Sequence, residues 1–76
     1  IMPHIAVNLY PGRDRDTKLE IANKLKDLMV RELNFPPDSI SVSVVEIEPD
    51  NFVETIQQKY DGKDLYISSR AVKTST

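Results

Sequence analysis

The sequence predicts an α/β domain built on a β-α-β unit. Two period-two apolar stretches flank one long amphipathic helix, and a chain of 76 residues leaves room for a single core. Parallel strands joined by a crossover helix follow from that order. The whole of residues 1–76 is read as one domain.

Residues 3–10 alternate Ile5, Val7 and Leu9 with His4, Ala6 and Asn8, the pattern of a half-buried strand. Pro3 is tolerated at its head, where no ladder donor is yet required. Pro11-Gly12 ends it with a turn signal. A helix then starts from Asp14 or Asp16 as N-cap and runs to about Asn34, its acidic start matching the positive end of the helix dipole. Its apolar stripe is Leu19, Ile21, Ala22, Leu25, Leu28, Met29 and Leu33, and Pro36-Pro37 forbid its continuation.

Residues 39–47 alternate again and give the second strand. After Glu48-Pro49-Asp50 a shorter helix is expected from about Asn51 to Tyr60, with Phe52, Val53, Ile56 and Tyr60 facing inward. Leu65-Tyr66-Ile67 reads as either a short edge strand or an arm reaching onto a neighbour. The tail from Ala71 to Thr76 is polar and expected to fray.

Two strands and one long helix leave open sheet edges and an uncovered face. A monomer this small buries only about 60% of its unfolded surface, so help is expected from disulfides, metal or a partner subunit. The chain has no cysteine, and its one histidine, His4, forms no ligand cluster. A homo-oligomer is therefore expected, two units placed edge to edge giving a four-stranded sheet.

Ten basic and twelve acidic residues leave a net charge of −2, with both signs scattered. That argues against a nucleic-acid partner. No apolar run approaches the roughly 20 residues of a membrane span, and no signal peptide precedes the first strand, so a cytoplasmic address is the expectation. No Gly-x-Ser-x-Gly, phosphate-binding loop or dinucleotide turn is present, and the acidic residues form no motif with His4. No cofactor or metal is expected.

The element order, the opening Met2-Pro3-His4-Ile5, the Gly12-Arg13 pair, Pro36-Pro37-Asp38-Ser39-Ile40 and Phe52 together resemble the 4-oxalocrotonate tautomerase family over roughly residues 2–52. The C-terminal third, with a helix from Phe52 to Tyr60 in place of a Gly-rich hairpin, looks more like the dimeric branch than the hexameric one. The resemblance implies a cofactor-independent isomerase acting on a small 2-oxo or enol carboxylate. It implies that the N-terminal proline, here Pro3, is the general base, that Arg13 binds the substrate carboxylate, and that Phe52 is an aromatic wall. Hexameric members carry a further arginine on the second strand, where this chain has Ser41. With one guanidinium fewer, a monocarboxylate or ketone is expected rather than a diacid.

The chemistry needs a base with a pKa near the working pH. An α-amino group starts at about 7.7 to 8.0, and burial beside a cation lowers it further. As written, Ile1 and Met2 precede Pro3, which makes its nitrogen an amide. Met2 is expected to be the natural initiator, removed in the mature protein, and Ile1 to be an expression artefact.

Each of these residues also has a plainer reading. Pro3 can simply open a strand, Arg13 can be a solvated charge, Phe52 can fill the core, and Ser41 can be an outward polar position. His4, Tyr10 and Tyr66 are read as surface or subunit-contact residues. Two other functions fit the same fold. One is a hydratase or dehalogenase using a charged prolinium as acid, and the other is a non-catalytic oligomeric binding module.

Overall fold

The computed structural model describes residues 2–73; Ile1 and the end of the expected frayed tail, residues 74–76, lie outside the described residues. The chain divides after Glu46 into two compact units.

The first unit is the expected β-α-β arrangement. Strand β1 (His4–Leu9), helix α1 (Arg15–Arg31) and strand β2 (Ser41–Glu46) follow in order, and β1 pairs with β2 in parallel. The register sets His4 beside Ser41, Ala6 beside Ser43 and Leu9 beside Glu46. Side chains alternate across a strand, so Ile5, Val7, Leu9, Val42, Val44 and Glu46 share one face. His4, Ala6, Asn8, Ser41, Ser43 and Val45 share the other. Helix α1 packs on β2, with Lys18, Leu19 and Ala22 around Val44, so it lies over the first of these faces.

Asp14 settles the choice of N-cap. Its backbone is extended, and its carboxylate accepts the Thr17 N–H at 2.9 Å, satisfying one of the helix's orphan donors. That N–H and the Thr17 hydroxyl hold the Asp14 carboxyl below its ordinary value of 3.8, the hydroxyl having the larger effect. A lowered folded-state pKa adds stability that is complete above 3.8 and disappears as the pH falls through the folded value. Replacing Asp14 by Ala is therefore expected to lower Tm at pH 7, and the gap should narrow as pH falls below 3.8. Thermal melts of both proteins from pH 7 to pH 2.5 check this, and a gap that holds constant to the acid end refutes it.

Helix α1 ends at Arg31, three residues earlier than the prolines alone require. Asn34 takes a left-handed φ of 62°, which asparagine tolerates better than most residues, and the Phe35 N–H turns back to the Met29 carbonyl at 3.1 Å. The apolar stripe is only partly covered. Ile21, Ala22, Leu25 and Met29 are half-buried, whereas Leu19, Leu28 and Leu33 are exposed.

The second strand starts two residues later than its alternation suggests. Pro37–Ser39 forms a turn of 3₁₀ helix in which the Ser39 hydroxyl and N–H both donate to the Pro36 carbonyl, taking Ser39 out of the ladder. Ile40, which follows, is the buried anchor of this unit.

The second unit holds helix α2 (Pro49–Lys59), which begins on a proline at the position where a missing N–H costs nothing. Its inner face is the expected one: Ile56 is buried, and Phe52, Val53 and Tyr60 are half-buried. Leu65-Tyr66-Ile67 does not form a strand, and Tyr66 and Ile67 are 90% and 86% exposed. The tail is better held than its polarity suggests. Val72 is buried, its N–H donating to the Ser69 hydroxyl at 3.0 Å and its carbonyl accepting the Ser69 N–H at 2.7 Å. Among the described residues, no helix is long and apolar enough to cross a membrane.

Candidate active site

Of the residues singled out in the sequence, Pro3, Ser41 and Arg13 fall at the two ends of the parallel sheet. At the end where β1 and β2 begin, Pro3 is half-buried beneath an exposed Met2, and its carbonyl accepts the Ser41 N–H at 3.3 Å. Pro3 and Ser41 are thus neighbours across the first rung of the ladder, although 38 positions separate them in sequence.

His4 belongs to the same cluster. Its Nδ1 lies 2.7 Å from the Ser41 hydroxyl and its Nε2 3.1 Å from the Ser43 hydroxyl, so the imidazole is clamped between two serines on the face away from α1. A neutral imidazole offers one donor and one acceptor, so one serine receives a proton bond from the ring and the other gives one. The polar alternation of both strands hinted at a shared face. Only the register shows that His4 meets both hydroxyls.

Arg13 is exposed at the other end of the sheet, past the turn that follows β1. The strand between Pro3 and that turn spans about 20 Å at roughly 3.3 Å per residue. Within one chain the two groups therefore do not meet. Gly12 supports the loop with a φ of +120°, a conformation that side chains disfavour even though a Cβ there would touch nothing within 4 Å.

Glu46, at the end of β2, joins the strand to helix α1. Its carboxylate pairs with the Lys18 ammonium at 3.0 Å. The Lys18 hydrogen bond is the main reason its carboxyl is held below the usual value. Sequence reasoning missed Glu46, because nothing in a lone acidic residue closing a strand announces a long-range ion pair with Lys18 on the preceding helix.

Phe52 lies in the second unit, half-buried on the inner side of α2. A depression of about 750 Å³ forms a shallow, open hollow along α1 lined by residues such as Leu19, Asn23, Val30 and Pro37. It contains none of Pro3, Arg13, Ser41 and Phe52. It is a groove on the surface of α1 whose charged lining groups belong to Asp16, Glu20, Lys24, Lys26 and Asp27.

The first unit is thus a parallel β-α-β scaffold headed by a proline, with an arginine in its first strand-to-helix loop. The family model described as "Tautomerase enzyme" matches residues 3–55. Tautomerase PptA of Escherichia coli O127:H6 (strain E2348/69) is 35% identical over 52 residues, covering 67% of this chain and 69% of its own. Tautomerase PptA of Shigella sonnei (strain Ss046) and of Escherichia coli O157:H7 are each 33% identical over the same shares. The chain belongs to the tautomerase family, and its function is of the tautomerase type. Pro3, Arg13, Ser41 and Phe52 all lie within the matched segment.

Proposed function

We propose that this protein is a cofactor-independent isomerase that moves a proton between oxygen and carbon, by keto-enol or 1,3-allylic transfer, in a small 2-oxo or enol monocarboxylate. The observation that carries this reading is Pro3, half-buried at the head of β1 in hydrogen-bonding contact with β2, within the family-matched segment. Once Met2 is removed, the ring nitrogen is a secondary amine whose lone pair is fixed in direction. It takes a proton from the enol oxygen or the allylic carbon and returns it to the far end of the conjugated system. Substrate and product are isomers, so no oxidant or co-reactant enters.

Arg13 is assigned the carboxylate, whose negative charge it pairs while polarising the developing enolate. Since Pro3 and Arg13 lie at opposite ends of β1, the reading requires Arg13 from a second copy, and a homodimer is the smallest assembly that supplies it. Phe52 is assigned the apolar wall that keeps the base dry. Ser41, beside Pro3, is assigned a hydrogen bond to substrate where a second guanidinium would otherwise hold a diacid.

Ultraviolet assays of enol decay test substrate class and base together. Protein beginning at Pro3 is expected to turn over phenylpyruvate-like enols with a kcat/KM above that for hydroxydienoate diacids, and a Pro3→Ala variant should be slower on both. Equal rates with and without Pro3 would overturn the assignment of the base. A preference for the diacid would overturn the role given to Ser41.

A further inference from the structure

We propose that His4 is a positioning residue for Ser41: with a proton on Nδ1, its imidazole donates to the Ser41 hydroxyl and leaves that hydroxyl's own proton free for a substrate oxygen beside Pro3. The proposal rests on the role assigned to Ser41 above.

Three observations converge on this. His4 is the direct ladder partner of Ser41, and its ring lies 2.7 Å from the Ser41 hydroxyl and 3.1 Å from the Ser43 hydroxyl, so both nitrogens are engaged at once. Ser41 and Ser43 share one face of β2 and stand roughly 7 Å apart at 3.3 Å per residue, a gap that a ring with two divergent nitrogens can bridge. Ser41 is also fixed through its backbone, whose N–H donates to the Pro3 carbonyl at 3.3 Å. Pro3 thus places the main chain of Ser41, and the residue next to Pro3 directs its hydroxyl.

Stability does not account for the cluster. His4 and Ser41 are exposed and Ser43 is half-buried, so water could satisfy these groups without the bridge. What the bridge supplies is direction. A guanidinium holds its N–H donors in a fixed fork, whereas a serine hydroxyl rotates, and its aim has to come from a neighbour. Were the ring proton on Nε2, Ser41 would donate to Nδ1 and could only accept from a substrate, and a carboxylate oxygen has no proton to give. With the proton on Nδ1 the bonds run one way, from the Ser43 hydroxyl to Nε2, from Nδ1–H to the Ser41 hydroxyl, and from Ser41 to the substrate. Hydrogen bonds aligned in this way polarise one another, which makes Ser41 a better donor than a lone serine.

The test uses full-length protein beginning at Pro3. His4 is the only histidine in the chain, so nitrogen NMR of the imidazole reads this ring alone. In the neutral ring Nδ1 is expected to carry the proton and Nε2 the lone pair, and Ser43→Ala should shift the proton toward Nε2. His4→Phe should raise KM for a monocarboxylate roughly threefold to fivefold, about what one neutral hydrogen bond contributes, with kcat little changed because Pro3 is untouched. His4→Asn, whose amide offers an N–H close to the place of Nδ1, should recover most of that loss. Ser41→Ala should raise KM at least as much, and adding His4→Phe to it should cost nothing further, as expected when one residue acts only through the other.

A neutral ring protonated on Nε2 in the parent, or an unchanged KM in His4→Phe where Ser41→Ala raises it, would overturn the proposal while leaving Ser41 its role. An unchanged KM in Ser41→Ala alone would remove Ser41 from the site, and the proposal with it. The tautomer is read on the parent protein, so the decision stands even if His4→Phe does not fold.

Discussion

Protein that begins at Pro3 is expected to isomerise an enol carboxylate about 10² to 10⁴ times faster than protein that retains Met2, the range typical of a positioned general base. The reason is electronic. An amide nitrogen delocalises its lone pair into the carbonyl and has no basicity at neutral pH. Met2 stands 81% exposed, open to an aminopeptidase, and its removal disturbs no other element, because the ladder contact of Pro3 is made by its carbonyl. Mass spectrometry establishes which form is in the cuvette, and initial rates on the two forms decide the matter. Comparable rates would mean that some other group moves the proton.

A second large effect is expected from Arg13. Arg13→Ala should lower kcat/KM on carboxylate substrates by about 10²-fold, the lower range for loss of one donor at a developing oxyanion. The separation of Pro3 and Arg13 along β1 adds a sharper consequence. Arg13→Ala subunits and subunits blocked by Met2 are each defective in every site they form alone. Unfolded together and refolded at equal amounts as dimers, they should regain about a quarter of the native sites, since half the dimers are mixed and each mixed dimer carries one intact site. No recovery on mixing would mean that the two residues do not work across a subunit boundary.

Much of the fold was legible because its signals are local. The period-two stretches, the acidic N-cap with Thr17 three residues on, and the prolines after α1 each need only a few neighbouring residues to be read. Where local signals competed, the sequence alone misjudged the result. Ser39 fits the strand alternation, yet the prolines before it set up a turn that claims its N–H. Of the two readings of Leu65-Tyr66-Ile67, the strand finds no ladder partner among the described residues, and Val72 is buried through a turn with Ser69 that its polar surroundings conceal.

The candidate site was legible in its types and not in its connections. Pro3, Arg13, Ser41 and Phe52 were each singled out by position and resemblance. That His4 is held by Ser41 and Ser43, and that Glu46 closes β2 against Lys18, depends on the register of two strands more than thirty residues apart. A slip of one residue would have sent each of those side chains to the other face.

Ile40, Ile56 and Val72 are the most deeply placed apolar residues described, and each keeps 7% to 8% of its surface in contact with solvent. Such a chain carries little of its own cohesion. Any assembly it enters then appears in its unfolding equilibrium as a mass-action factor, so that diluting the sample loosens the molecule and crowding copies together tightens it. Durability here belongs to the population of chains as much as to the single polypeptide.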